Sequence, residues 1–250
     1  MSVTYGKPRA KTDGKITDFF SPKSSSSSSS SASRPSSSRA TRPESKRDPP
    51  RKPSGPRDQR RQIADETLAA IKAGQYTLNG TSYPLAQPTR DSINGTQYYA
   101  PDSSLSSWSS VLPPPPPTPG RIFLLETTTL NGARTLLASL PAFPSPPRIG
   151  VLNFASATKP GGGFLSGAQA QEESIARASN LYPSLLSHMG EAFYTLHKRS
   201  KRGGYYTHAM IYSPAVTVFR DDSGGWLAPY QIDVLTSPAV NAGDVRDKLG

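Results

Sequence analysis

Two apolar runs, Arg121-Ile122-Phe123-Leu124-Leu125 and Ile149-Gly150-Val151-Leu152-Asn153-Phe154, bracket a stretch of helical periodicity. Within that stretch, residues 129–140, Leu130, Ala133, Leu136 and Leu137 recur at the spacing of one helix face. Strands that are continuously apolar are buried on both faces. Strand, helix, strand is most economically a parallel βαβ unit, so the sequence predicts an α/β fold with a largely buried sheet. Downstream, residues 209–212 and 216–219 flank Pro214 as strand material, residues 221–225 form a turn, and residues 231–235 give another short strand. Helices are predicted over 60–73, with Ile63, Ala64, Thr67, Leu68 and Ile71 on one face and Gly74 suited to the C′ position, around 171–181 with a break near Pro183, and over 191–198. Residues 75–120 are rich in Tyr, Ser and Pro and contain a polyproline spacer at 113–117, which reads as extended wrapping and a surface loop.

The α/β pattern does not extend to the N-terminus. Hydrophobic residues are 34% of the chain and Pro is 26 of 250, too few apolar side chains for a uniformly packed globule. Of the net charge of +11, residues 1–61 supply 15 Lys/Arg against 5 Asp/Glu. The same region carries serine at every position from 24 to 31. Such a segment buries too little apolar surface to offset its chain entropy. The expected organisation is a disordered basic tail over 1–57, an accessory region of helix and extended chain over 58–120, and an α/β domain over 121–250. A basic tail suits weak contact with polyanions, and the pairs Lys46-Arg47, Arg51-Lys52 and Arg60-Arg61 resemble a loose nuclear-import signal. The alternative is that the charge only keeps the tail soluble.

The chain has no Cys and three His, which excludes a disulfide framework, a thiol nucleophile and a Cys-based zinc site. No metal and no cofactor is expected. No apolar run reaches the length of a membrane span, and residues 1–11 lack a secretory apolar core, so the reading is intracellular, with no membrane partner.

One island in the tail is apolar. Lys15-Ile16-Thr17-Asp18-Phe19-Phe20 puts Ile16 three residues before an aromatic pair, giving a short plug in one helical turn. Residues 13–20 resemble the sliding-clamp interaction box, with Asp13 where that box usually has Gln. The alternative is a chance apolar cluster.

The chemistry concentrates in residues 153–177, NFASATKPGGGFLSGAQAQEESIAR. Gly161, Gly162 and Gly163 follow a buried strand and permit positive φ and close backbone approach. Three successive amides without side chains suggest a nest for a phosphate. Asn153 lies near the carboxyl end of its strand, where open α/β sheets bind ligands. Gln171, Glu172 and Glu173 then open a helix. Taken separately, GGG is a hinge and QEE a solvated helix start. Together they suggest recognition or hydrolysis of a phosphorylated sugar.

The order GGG, short spacer, QEE resembles the signature of poly(ADP-ribose) glycohydrolases, and the surrounding sequence is similar to the microbial-type branch, bacterial and fungal. The resemblance runs from about Asp58 to Gly250. It includes Ile63-Ala64-Asp65-Glu66-Thr67-Leu68, Glu126-Thr127-Thr128-Thr129-Leu130, Val151-Leu152-Asn153-Phe154-Ala155-Ser156, Met210-Ile211-Tyr212-Ser213-Pro214 and Thr236-Ser237-Pro238-Ala239-Val240-Asn241. It implies a macrodomain-like three-layer α/β/α fold that binds ADP-ribose. It also implies hydrolysis of the ribose–ribose O-glycosidic bond of poly(ADP-ribose), releasing ADP-ribose. Glu173 would be the acid/base and Glu172 would hold ribose hydroxyls. Gly161, Gly162 and Gly163 would lie along the diphosphate and distal ribose, with Asn153 and Gln171 among the substrate-binding residues. The partners implied are poly(ADP-ribose) and ADP-ribosylated proteins, with a nuclear, and also cytoplasmic, location and a place in DNA repair. Members of the family continue past the position of Gly250 with a strand, a helix and a second glycine-rich loop, so the chain reads as C-terminally truncated, with an unpaired sheet edge. Two other functions stay open: an ADP-ribose-binding module or inactive homologue, and a clamp- or nucleic-acid-binding scaffold built on the tail.

Overall fold

The computed structural model of the chain describes residues 55–110, 120–140, 147–200 and 203–249. The clamp-box residues Ile16, Phe19 and Phe20, the serine run and the polyproline spacer lie outside them.

Helix α1 spans Pro56–Ala73, with Pro at its first position and Gly74 in the left-handed conformation after it. It starts four residues before the expected helix, so Pro56 and Arg57, assigned above to the tail, are helical. A hairpin follows, β1 Gln75–Leu78 with β2 Thr81–Pro84, then α2 Ala86–Gly95, β3 Gln97–Tyr99 and a 3-10 segment Ser104–Ser110. The reading of residues 75–120 as extended wrapping and loop is therefore corrected over 75–110. Short elements with few apolar residues leave little periodicity to detect.

The central sheet has four strands in the order β3-β5-β6-β4. Strands β4 Gly150–Ala155, β5 Met210–Arg220 and β6 Trp226–Pro238 carry it. β5 pairs antiparallel with β3 and β6, whereas β4 runs parallel to β6. Residues 121–125 form no strand. Ile122 and Leu124 are 97% and 98% exposed. The parallel unit exists, but its partner strand for β4 is β6, some eighty residues further on. β5 runs unbroken through Pro214, which the ladder accommodates at a register shift between Ser213 and Val216. Ala215 there has φ of 49°, and its N–H donates to the Asp233 carboxylate at 2.9 Å.

Helices α3 Thr129–Ser139, α4 Gln171–Ala178, α5 Leu181–Leu185 and α6 His188–Lys198 contribute to the main core with the sheet. Leu130, Ile175, Leu181, Leu185 and Phe193 pack there against Val151, Ile211, Val218, Ile232 and Val234. Alternation along β4 turns Val151, Asn153 and Ala155 inward and Leu152 and Phe154 outward. Leu152, Phe154 and, on β6, Leu235 are exposed among the described residues. A second cluster joins Ile71 of α1 to Tyr76, Leu85 and Phe219, and a third joins Ala64 to Phe164 and Ala176. α1 therefore braces the loop and helix that carry the glutamates. A final helix, α7, spans Ala242–Leu249. No helix among the described residues is long and apolar enough to cross a membrane.

Candidate active site

β4 ends at Ala155 and α4 begins at Gln171, with the glycine loop between them. The first three residues of α4 each reach back. Gln171 Oε1 accepts from the Phe154 N–H at 2.8 Å, while its Nε2 donates to the Leu152 carbonyl at 2.6 Å and to Thr129 Oγ1 at 3.1 Å. Glu172 Oε2 accepts from the Ser156 N–H at 2.7 Å, and Glu173 Oε1 from the Gly163 N–H at 2.9 Å. The helix start, the strand end and the loop are thus tied together by three consecutive side chains.

Gly161 and Gly162 have φ of 67° and 57°. A Cβ on Gly162 would stand 2.5 Å from Glu173 Oε1 and 3.0 Å from Glu172 Oε2. Gly162 is needed because two carboxylates pack on its bare backbone, whereas a Cβ on Gly161 would meet the Phe164 ring and one on Gly163 the Ala168 methyl. This revises the phosphate nest expected from sequence. The Gly162 N–H donates to the Lys159 carbonyl at 2.9 Å and the Gly163 N–H to Glu173. The Gly161 N–H favours ionised Glu172. These amides therefore face protein acceptors.

Both glutamates are buried. Burial pushes the Glu172 carboxyl up to about 7. The Ser156 N–H opposes that rise, neighbouring Glu173 adds to it, and the Gly161 N–H and the Asn153 side chain oppose it. Glu172 Oε1 has no hydrogen-bond partner, and neither has Asn153 Oδ1. Asn153 is fully buried, its Nδ2 donating to Thr236 Oγ1 at 3.2 Å. It lies beneath Glu172 and does not line the cleft.

A cleft of about 240 Å³ opens over the pair, with Phe154, Ser156, Glu172, Glu173, Tyr206 and Asn241 among its walls. Of the residues expected to bind substrate, the structure brings Glu172 and Glu173 to this cleft and places Gly161, Gly162 and Gly163 behind them. Gln171 is committed to β4 and α3, so its expected substrate contact is replaced by a supporting role. The sequence reading missed Ser156, Tyr206 and Asn241 as wall residues. Ser156 acts through its backbone, which no side-chain motif reveals, and Tyr206 lies in a stretch without periodicity. The described residues contain no group of three His, Asp or Glu able to hold a metal.

An α/β domain whose glycine loop and strand end clamp two consecutive helix-initiating glutamates under a cleft defines a narrow class of protein. Residues 64–221, more than half of the chain, match the family of microbial-type PARG, catalytic domain. The chain belongs to that family. Poly(ADP-ribose) glycohydrolase from Thermomonospora curvata is similar at 42% identity and a TM-score of 0.68, over 75% of this chain and 66% of that one. The same bacterial enzyme bound to the inhibitor ADP-HPD gives 41% and 0.64, over 76% and 65%. The enzyme from Deinococcus radiodurans in complex with ADP-ribose gives 32% and 0.53, over 69% and 62%. The chain thus spans somewhat less than two thirds of the length of these relatives. No curated protein matches it.

Proposed function

We propose that this chain hydrolyses the ribose–ribose O-glycosidic bond of poly(ADP-ribose) and releases ADP-ribose. The observation that carries the reading is the paired glutamates, held by backbone N–H groups at the floor of a cleft and packed together against Gly162. Family membership and the ADP-ribose complex of the Deinococcus radiodurans relative support the substrate class.

The two carboxylates stand side by side, which does not suit acid and nucleophile placed on opposite faces of a sugar. One residue then acts as acid and as base. Glu173 takes this role: it would protonate the departing ribose oxygen as an oxocarbenium-like charge develops. It would then accept a proton from the attacking water. Glu172, held up to about 7, retains a proton through the acid side of neutrality. It limits the negative charge beside Glu173 and can hold ribose hydroxyls.

ADP-ribose release by the 250-residue chain, measured beside a Glu173→Gln variant, tests this. Release that is lost in the variant is expected. Binding of ADP-ribose without release by the unsubstituted chain would make it a binding module instead.

The proposal extends to the tail on sequence grounds alone. The clamp-box pattern of Ile16, Phe19 and Phe20 supports docking to a sliding clamp, and the basic pairs support polyanion contact and nuclear location in a repair setting. Clamp pull-down that is unchanged by Phe19→Ala with Phe20→Ala would remove the docking reading.

A further inference from the structure

Three arginines hold one short stretch of backbone. Arg57 Nε donates to the Ser166 carbonyl at 2.9 Å, Arg60 Nε to the Gly167 carbonyl at 2.8 Å, and Arg177 Nη1 to the Ala168 carbonyl at 2.6 Å. Arg57 and Arg60 come from α1 and Arg177 from α4. The approach is close: a Cβ on Gly167 would meet the Arg57 carbonyl oxygen at 2.2 Å. The two ion pairs among the described residues are Arg148–Asp233 and Arg220–Glu66, and neither involves these three arginines. Arg177 is buried. Its pKa is lowered by that burial and then by the charge of Arg60, with the Glu173 carboxylate opposing. Concentrating guanidinium charge at a buried site costs stability. Stapling a loop through neutral carbonyls does not require three cations.

Arg60 and Arg177 face a cavity of about 620 Å³ separate from the catalytic cleft. Ala170, immediately before the QEE helix, lines both, so the two spaces meet at one residue. The lining also carries Asp221 and Asp222 with Thr129. Asp221 Oδ1 is occupied by the Ser223 and Gly225 N–H groups, and Asp222 Oδ2 by Thr128 Oγ1. The lining thus offers both guanidinium donors and carboxylate oxygens. A diphosphate flanked by hydroxyl-bearing riboses meets both requirements: anionic oxygens for the arginines, ribose hydroxyls for the acceptors.

We propose that this cavity is a second subsite, in which Arg60 and Arg177 bind the diphosphate of the ADP-ribose unit adjoining the one in the catalytic cleft. The inference rests on the poly(ADP-ribose) reading above and adds where the remainder of the polymer runs.

The test uses the full chain carrying Glu173→Gln, to suppress cleavage, with ADP-ribose and a two-unit oligomer as probes and affinities measured against salt. The oligomer is expected to bind more tightly than ADP-ribose, with a steeper salt dependence. Adding Arg60→Gln should weaken oligomer binding roughly tenfold and lower the salt slope by about one, with ADP-ribose affinity unchanged. Arg60→Lys, which keeps the charge and loses the fork, should retain the slope with weaker binding. Equal loss for both probes overturns the inference, because Arg60 would then act only through the 166–168 loop. No loss for either also overturns it. If the Glu173→Gln chain binds ADP-ribose as tightly as the oligomer, the functional reading stands and this inference falls. If it binds neither probe, both fall.

Discussion

Gly162 shows how little room the site leaves for change. Its φ of 57° disfavours any side chain, and the space a methyl would take belongs to two carboxylates. Gly162→Ala should lower turnover by about 100-fold through displacement of Glu173. It should also cost about 1–3 kcal/mol of stability, read by ADP-ribose release and thermal melting. Glu172 gives a prediction on pH. Its folded-state pKa of about 7 lies above the ordinary 4.5, so the folded state binds its proton more tightly than the unfolded chain does. That contribution is complete below pH 4.5 and is lost as pH rises through 7. It amounts to about 3 kcal/mol. Glu172→Gln should flatten this part of the stability profile in urea titrations from pH 4 to 8; an unchanged slope would assign the pH dependence elsewhere. At this scale the sequence was informative in an uneven way. GGG followed by QEE marked the site, but the acceptor of the glycine amides depends on how β4, the loop and α4 fold back together, and spacing along the chain does not encode that.

Among the elements, β4 and α4 are joined by a side chain standing in for a strand. The register with β6 turns the Leu152 carbonyl and the Phe154 N–H away from the ladder, and the Gln171 amide takes both. An edge that would otherwise present open backbone groups is closed there locally. Gln171→Leu should cost about 1–2 kcal/mol and speed hydrogen exchange at the Phe154 N–H, with the β5–β6 ladder unaffected. Protection that persists at Phe154 would show that the amide contributes nothing. The elements of this layer were largely legible. Residues 129–140 and 149–154 became α3 and β4 almost residue for residue, and Gly74 stopped α1 where a left-handed position was required. Pairing was not legible. Arg121 to Leu125 has the composition of a buried strand but lies outside the sheet, because apolar content says that a segment could be buried and not which ladder has a place for it.

Across the whole molecule, α1 is fastened to the sheet by Arg220, a buried cation 154 positions from its carboxylate. Its Nη2 donates to Glu66 at 2.9 Å, Nη1 to the Gly224 carbonyl, and the guanidinium lies 3.5 Å from the centre of the Trp226 ring. Arg220→Met should cost about 3 kcal/mol in denaturant titration and loosen the packing of α1 against the glutamate-bearing helix, raising the KM of the release reaction. This clamp and the three arginines that hold the 166–168 backbone were invisible in the sequence, since each acts across more than a hundred residues or through a backbone carbonyl. A different property follows from the side of the sheet bearing Leu152, Phe154 and Leu235, together with the bare run from Ile122 to Leu125. Short, uncharged, β-prone stretches in open water pair readily with their like. In a stored preparation of this chain, monomer would then disappear by a second-order process. Dilution would lengthen shelf life, and a ligand that raises the melting point would not.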